Sequence, residues 1–136
     1  MTLYGDIALL AAKNLASHDP ATAWRLAAEK CCQDSVSSRD KACPRKAFEG
    51  LCWAGFVLGF PGQPKSDAEI GENGRYAVAA ARLLLGKGHS GSISTAELWA
   101  TVLEQTGSDP AKRHNGQMDV VMALHAHGLL QVQAAT

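Results

Sequence analysis

Four cysteines and five histidines in 136 residues invite a search for metal or nucleophile chemistry. Structural zinc is gripped by pairs spaced C-x2-4-C or H-x3-5-H, because a short loop aims both ligands at one ion. Cys31 and Cys32 are adjacent, while Cys43 and Cys52 stand apart from them and from each other. Neighbouring side chains on a helix diverge by roughly 100°, and His125 and His127, two residues apart, also diverge. The pattern calls for buried or half-buried thiols and no metal. Cys43 alone has an argument for reactivity. It falls at the start of a helical segment with Arg45 and Lys46 beside it, where the helix dipole and the cations favour thiolate. A cysteine enzyme also needs a base, and nothing in the spacing selects one from His18, His89, His114, His125 and His127.

The basic residues form two groups. Arg39, Lys41, Arg45 and Lys46 lead into one segment, and Lys112, Arg113 and His114 lead into another. Positive helix starts of this kind can hold phosphates or acidic side chains. The helices that follow, AFEGLCWAG and DVVMALHAHG, offer few side chains able to read a base edge. That favours protein contacts first and phosphate contacts second. Trp24 and Trp99 share faces with apolar neighbours and belong to the core. Trp53 lies off the Phe48, Leu51, Cys52 stripe and beside the basic start, a position suited to a protein interface or, equally, to packing under the linker loop. No P-loop, dinucleotide fingerprint, nucleophile elbow or paired-carboxylate arrangement is present, so the sequence calls for no cofactor and no catalytic residue.

The elements that must position these residues are helical. Residues 4–17 place Ile7, Leu10, Ala11 and Leu15 on one face. Asp19 and Pro20 supply a cap and a first-turn proline for the next helix. A polar segment from Gln33 to Ala42 follows, and then a helix opening at Pro44 and ending at Gly55. FVLGF is short enough for a strand. Residues 61–72 read as a loop, with Asn73 capping a helix that stops at Gly86 and a flexible turn over 86–92. Ser94 and Glu97 form a capping box, S-x-x-E. The last helix runs to Gly128 and is followed by LLQVQ.

The parts recur in order. IALLAAKNL aligns with YAVAAARLL, Trp24 with Trp99, Leu51 with Leu124 and Gly55 with Gly128. We therefore expect a tandem duplication, with halves 4–60 and 73–133 joined by loop 61–72. Residues 56–60 and 129–133 are expected to pair as a small two-stranded sheet between the halves.

CPRKAFEGLC, NGRYAVAAARLL and HNGQMDVVMALHAHGLL resemble a family of small uncharacterised bacterial proteins, over most of the chain. The resemblance implies a helical fold and a bacterial, cytoplasmic origin, and it carries no mechanism. Cys43, Pro44, Phe48, Gly50, Tyr76, Asn115, Gln117, Met118 and Asp119 are the positions that look like its motif. Asn115 or Asp119 can cap the last helix. Asn115, Gln117 and Asp119 can alternatively form a polar pocket with Arg45 or Arg113.

Hydrophobic residues make up 46% and charged residues 19%, the balance of a folded domain, and the length suits one domain over residues 1–136. Thirteen basic and thirteen acidic residues cancel, so no global field draws the protein onto nucleic acid or a membrane. The longest uncharged apolar run, Leu51 to Phe60, is about half a membrane span. Asp6 and Lys13 break the pattern of a cleavable leader, so a cytoplasmic location with reduced thiols is expected. The expected protein is an all-α domain of about six helices in two equivalent halves. It acts as a non-enzymatic binding or regulatory module through protein contacts at Arg39, Lys41, Arg45, Lys46, Trp53, Lys112, Arg113, His114, Asn115 and Gln117. A nucleic-acid-associated protein using a duplicated helix-turn-helix-like unit is the alternative, and a thiol enzyme based on Cys43 is third.

Overall fold

Short polar side chains decide where most of the helices begin. The computed structural model describes residues 2–33, 35–60, 62, 67–86 and 93–131. Helix α1 (Leu3–Asn14) starts where the Thr2 hydroxyl accepts the Gly5 N–H at 3.0 Å. Helix α2 (Pro20–Cys31) starts where Asp19 accepts the Thr22 N–H at 2.9 Å, with Pro20 in the first turn. A one-turn helix, α3 (Val36–Arg39), is capped by Ser35. Helix α4 (Ala42–Trp53) begins at Lys41 without a side-chain cap. Helix α5 (Asp67–Leu85) is broken at Gly71, whose φ of 78° and ψ of 174° a side chain would resist. Helix α6 (Thr95–Gln105) carries the capping box: Ser94 accepts the Glu97 N–H at 3.1 Å and donates to its carboxylate at 3.0 Å. Helix α7 (Gln117–Ala126) has a glycine cap, Gly116, in the left-handed region at φ 93°.

The fold is all-α, as the periodicity predicts, and its details differ from the sequence expectation at four places. The polar segment after α2 contains α3. The third long helix opens at Ala42, two residues before Pro44. Helix α5 begins at Asp67, inside the expected loop, so Asn73 lies within the helix and does not cap it. The expected sheet is a single antiparallel bridge, Val57 to Leu130. Leu58 donates its N–H to the Leu129 carbonyl, and Gln131 donates its own to that of Phe56, both at 2.8 Å. The Gln131 side-chain amide reaches the carbonyls of Gly55 and Val57 at 3.1 and 3.2 Å, which satisfies the exit of α4 without a second ladder. Residues 132–133 of that pairing, and the turn after Gly86, lie outside the described residues.

Helix α4 packs against α5 and α7, and α7 also packs against α1, so the two expected halves are fastened together along their outer helices. At the α4–α5 crossing a methyl group on Gly50 would come 2.4 Å from the Cα of Gly74. Backbone meets backbone there, and only glycine fits. The core runs through this crossing, with Ile7, Trp24, Phe48, Leu51, Leu98, Met118 and Leu124 fully buried. Burial of side chains of this size contributes about 1.5–3 kcal/mol each. No helix among the described residues is long and apolar enough to cross a membrane.

Candidate functional site

The two basic groups meet different fates. Arg39, Arg45 and Lys46 line a cleft of about 690 Å³ between α2, α3 and α4. Its floor is Trp24, whose ring lies against Phe48 at 5.4 Å between centroids and a 40° tilt. Two i,i+4 pairs stand on its walls, Arg25–Glu29 at 3.5 Å on α2 and Arg45–Glu49 at 3.4 Å on α4. Arg39 and Asp40 form a third contact at 4.0 Å. Charge-assisted hydrogen bonds close to about 2.7–2.9 Å, so all three pairs are loose. The Arg45 Nε is buried and makes no hydrogen bond, which means its 3.4 Å contact with Glu49 is one of charge without hydrogen-bond geometry. Burial pushes the Glu49 carboxyl above the usual carboxylate range, against the pull of Lys46 and Arg45. Lys46 has no ion pair among the described residues, leaving four cations on the lining to three carboxylates.

Lys41 does not join this cleft. Its ammonium sits 5.3 Å above the Tyr4 ring, on the side where the starts of α1, α4 and α7 approach one another.

Two members of the second basic group, Lys112 and His114, are tied down. Lys112 donates to the Glu72 carboxylate at 2.6 Å, and the same oxygen accepts the Tyr76 hydroxyl. These two hydrogen bonds, Lys112 first, hold the Glu72 carboxyl below its usual range, and Glu72 raises Lys112 in return. Trp99 donates its indole N–H to the Lys112 carbonyl at 2.9 Å and meets both Tyr76 and His114 edge-on. His114 Nε2 accepts the Met118 N–H at 2.9 Å. Burial lowers the His114 pKa, Asp119 raises it, and Lys41 lowers it further. Gln117 is buried, accepts the Asn115 N–H at 2.7 Å and donates to Asn73 at 2.8 Å. The alternative pocket of Asn115, Gln117 and Asp119 with Arg45 or Arg113 is therefore not what forms: the Gln117 amide is spent on Asn73 and the Asn115 backbone. Arg113 is exposed.

Trp53 stands apart from both groups. It is half-buried and meets Phe60 edge-on at 5.6 Å, in the turn that leaves α4. Cys43 is half-buried at the second position of α4, Cys31 is exposed, and Cys32 and Cys52 are buried. Burial holds the Cys52 thiol well above its ordinary range. No group of three or more His, Cys, Asp or Glu side chains gathers as metal ligands among the described residues.

Sequence reasoning passed over Arg25, Glu29, Asp40 and Glu49 in the cleft, and Glu72, Asn73 and Trp99 as partners in the second cluster. The spacing R-x-x-x-E, present in both α2 and α4, was a usable indication of two paired helix walls. The chain matches, over residues 1–131, the model of a family of unknown function, DUF6979. It belongs to that family. Among curated proteins and among solved structures nothing matches this DUF6979 member. Membership accords with the resemblance read from the CPRKAFEGLC, NGRYAVAAARLL and HNGQMDVVMALHAHGLL segments. It gives the family without an activity, so the cleft and the tied cluster carry the functional argument.

Proposed function

We propose that this DUF6979 member is a cytoplasmic, non-enzymatic binding module that holds a partner protein in the charged cleft between α2, α3 and α4. The observation that carries this is the looseness of the three ion pairs over the Trp24 floor. Held at 3.4–4.0 Å, they can be exchanged for contacts with an incoming chain at little desolvation cost. A protein segment carrying charges of both signs finds a partner for each, with Lys46 left for an additional carboxylate.

A nucleic acid is served less well by the same surface. Glu29, Asp40 and Glu49 stand among the cations and oppose a phosphate backbone, and of the second basic group Lys112 is already occupied by Glu72. A thiol enzyme built on Cys43 would draw little help from His114, whose Nε2 is engaged by the Met118 N–H.

The test is a nuclease-treated pulldown from a lysate of the source cells, with wild-type bait, an Arg39→Glu, Lys46→Glu variant, and Trp53→Ala as an off-cleft control. The expected outcome is a protein partner retained by wild type and Trp53→Ala and lost by the double variant, with binding that weakens only shallowly with salt. Capture of the same partner by the double variant would sink the cleft reading. Recovery of nuclease-sensitive material alone would put the nucleic-acid reading in its place.

A further inference from the structure

We propose that the segment between α6 and α7, residues 106–116, is an acid-released strap, held closed by the neutral imidazole of His114 acting as the side-chain cap of α7. The first N–H groups of a helix have no partner inside it. The N-cap of α7, Gly116, has no side chain to offer them. The Met118 N–H turns back to His114 Nε2 at 2.9 Å instead, four residues upstream and within the strap. A ring nitrogen accepts a hydrogen bond only when it carries no proton, so the closed form requires the tautomer with its proton on Nδ1.

Protonation breaks this arrangement in two ways. Nε2–H then points at Met118 N–H, donor against donor, and the new charge sits at the positive end of the α7 dipole. The surroundings add to the first effect. His114 is half-buried with its ring edge-on to Trp99, centroids 5.4 Å apart. Lys41 at the start of α4 adds positive charge, while Asp119 on α7 favours the cation and is outweighed by burial and Lys41 together. Among the described residues, other ionisable groups of this neighbourhood are Lys112 and Arg113, which precede His114 in the strap, Tyr76 of α5, which meets Trp99, and Tyr4 of α1, which lies against Gly116.

Three other fastenings around the strap hold in mild acid. Trp99 to the Lys112 carbonyl and Gln117 to Asn73 involve no ionisable side chain. Glu72, which holds Lys112, has its carboxyl lowered and stays ionised. His114 is therefore the element that changes. The closed form keeps the ring neutral and the open form does not, so the open form takes up a proton first. Closure weakens as pH falls below the ordinary histidine value of about 6.5 and is fully present above it.

The test is an NMR titration of the whole chain with amide exchange read at Met118. The expected result is the Nδ1-protonated tautomer of His114 at pH 7.5. The Met118 protection factor then falls on going to pH 5.5, by at most about tenfold for one proton taken up with an open-state pKa of about 6.5, over the pH range in which His114 titrates, while Ala27 in α2 keeps its protection. His114→Gln supplies a side-chain acceptor that does not titrate and should hold Met118 protection level across the range. Protection independent of pH in wild type, or an Nε2-protonated ring at pH 7.5, would overturn the proposal. Should His114→Gln fail to fold, the wild-type midpoints decide: a Met118 transition that does not track His114 refutes the strap.

Discussion

Trp24 and Trp99, expected to correspond across two halves of the chain, sit in opposite kinds of surroundings. Trp24 is buried against Phe48 and floors an open cleft whose charges are held at 3.4–4.0 Å. Trp99 is hydrogen-bonded to the Lys112 carbonyl and set between Tyr76 and His114, in a cluster whose polar contacts close to 2.5–2.9 Å. Basic residues leading into a helix look alike in the sequence, but Arg39 and Arg45 of the first group keep loose ionic partners while Lys112 and His114 of the second are held close. Satisfied cations hold structure together, and loosely paired ones remain available to a ligand.

Substitutions can break or sharpen this contrast. Trp24→Ala removes a fully buried ring and the contact with Phe48, and should cost about 3–5 kcal/mol in chemical denaturation. A loss below ~1 kcal/mol would show that the cleft floor is not part of the core. Trp99→Phe keeps most of the ring and deletes one donor. Its expected cost is about 0.5–1.5 kcal/mol, accompanied by faster amide exchange in the strap and none in α2. Equal loosening of both regions would erase the distinction between them. Lys46→Glu has the smallest expected effect on stability, within about 0.5 kcal/mol of wild type, because the side chain is exposed and its attraction to Glu49 acts without an ion-pair contact. A larger drop in its melting curve would mean that Lys46 is structural and that the cleft is less available than the ion-pair distances imply.

Much of the fold was legible because it follows from local chemistry. The Asp19-Pro20 start, the Ser94–Glu97 box and the glycines after α4 and α7 act over three or four residues and leave a readable mark. Gly71 misled for the same reason: a glycine among polar residues reads as loop, and here it interrupts a helix that has already begun at Asp67. The cluster around Trp99 was only half legible. Lys112, His114, Asn115 and Gln117 were singled out, but their partners Glu72 and Asn73 lie some forty residues earlier, and no periodicity links such positions. His114 stands out in the sequence only as a basic residue leading into the last helix, and its role as acceptor of the Met118 N–H is a product of the fold. The cleft carried a faint trace, the repeated arginine–glutamate spacing of α2 and α4. Its loose geometry depends on the angle between the helices, which composition does not encode.

The packing of α1 against α7 has a consequence for how the chain is made. A polypeptide emerges from the ribosome at roughly 5–20 residues per second, so α1 is exposed on the order of ten seconds before its partner is synthesised. Its apolar face, with Ile7, Ala8 and Ala11, can turn first to α2, which follows at once, while the flank destined for α7 must wait. Cooperative closure thus waits for α7. A ribosome stalled before Gln117 would hold a chain with its own helices formed and that flank uncovered, a substrate for chaperones.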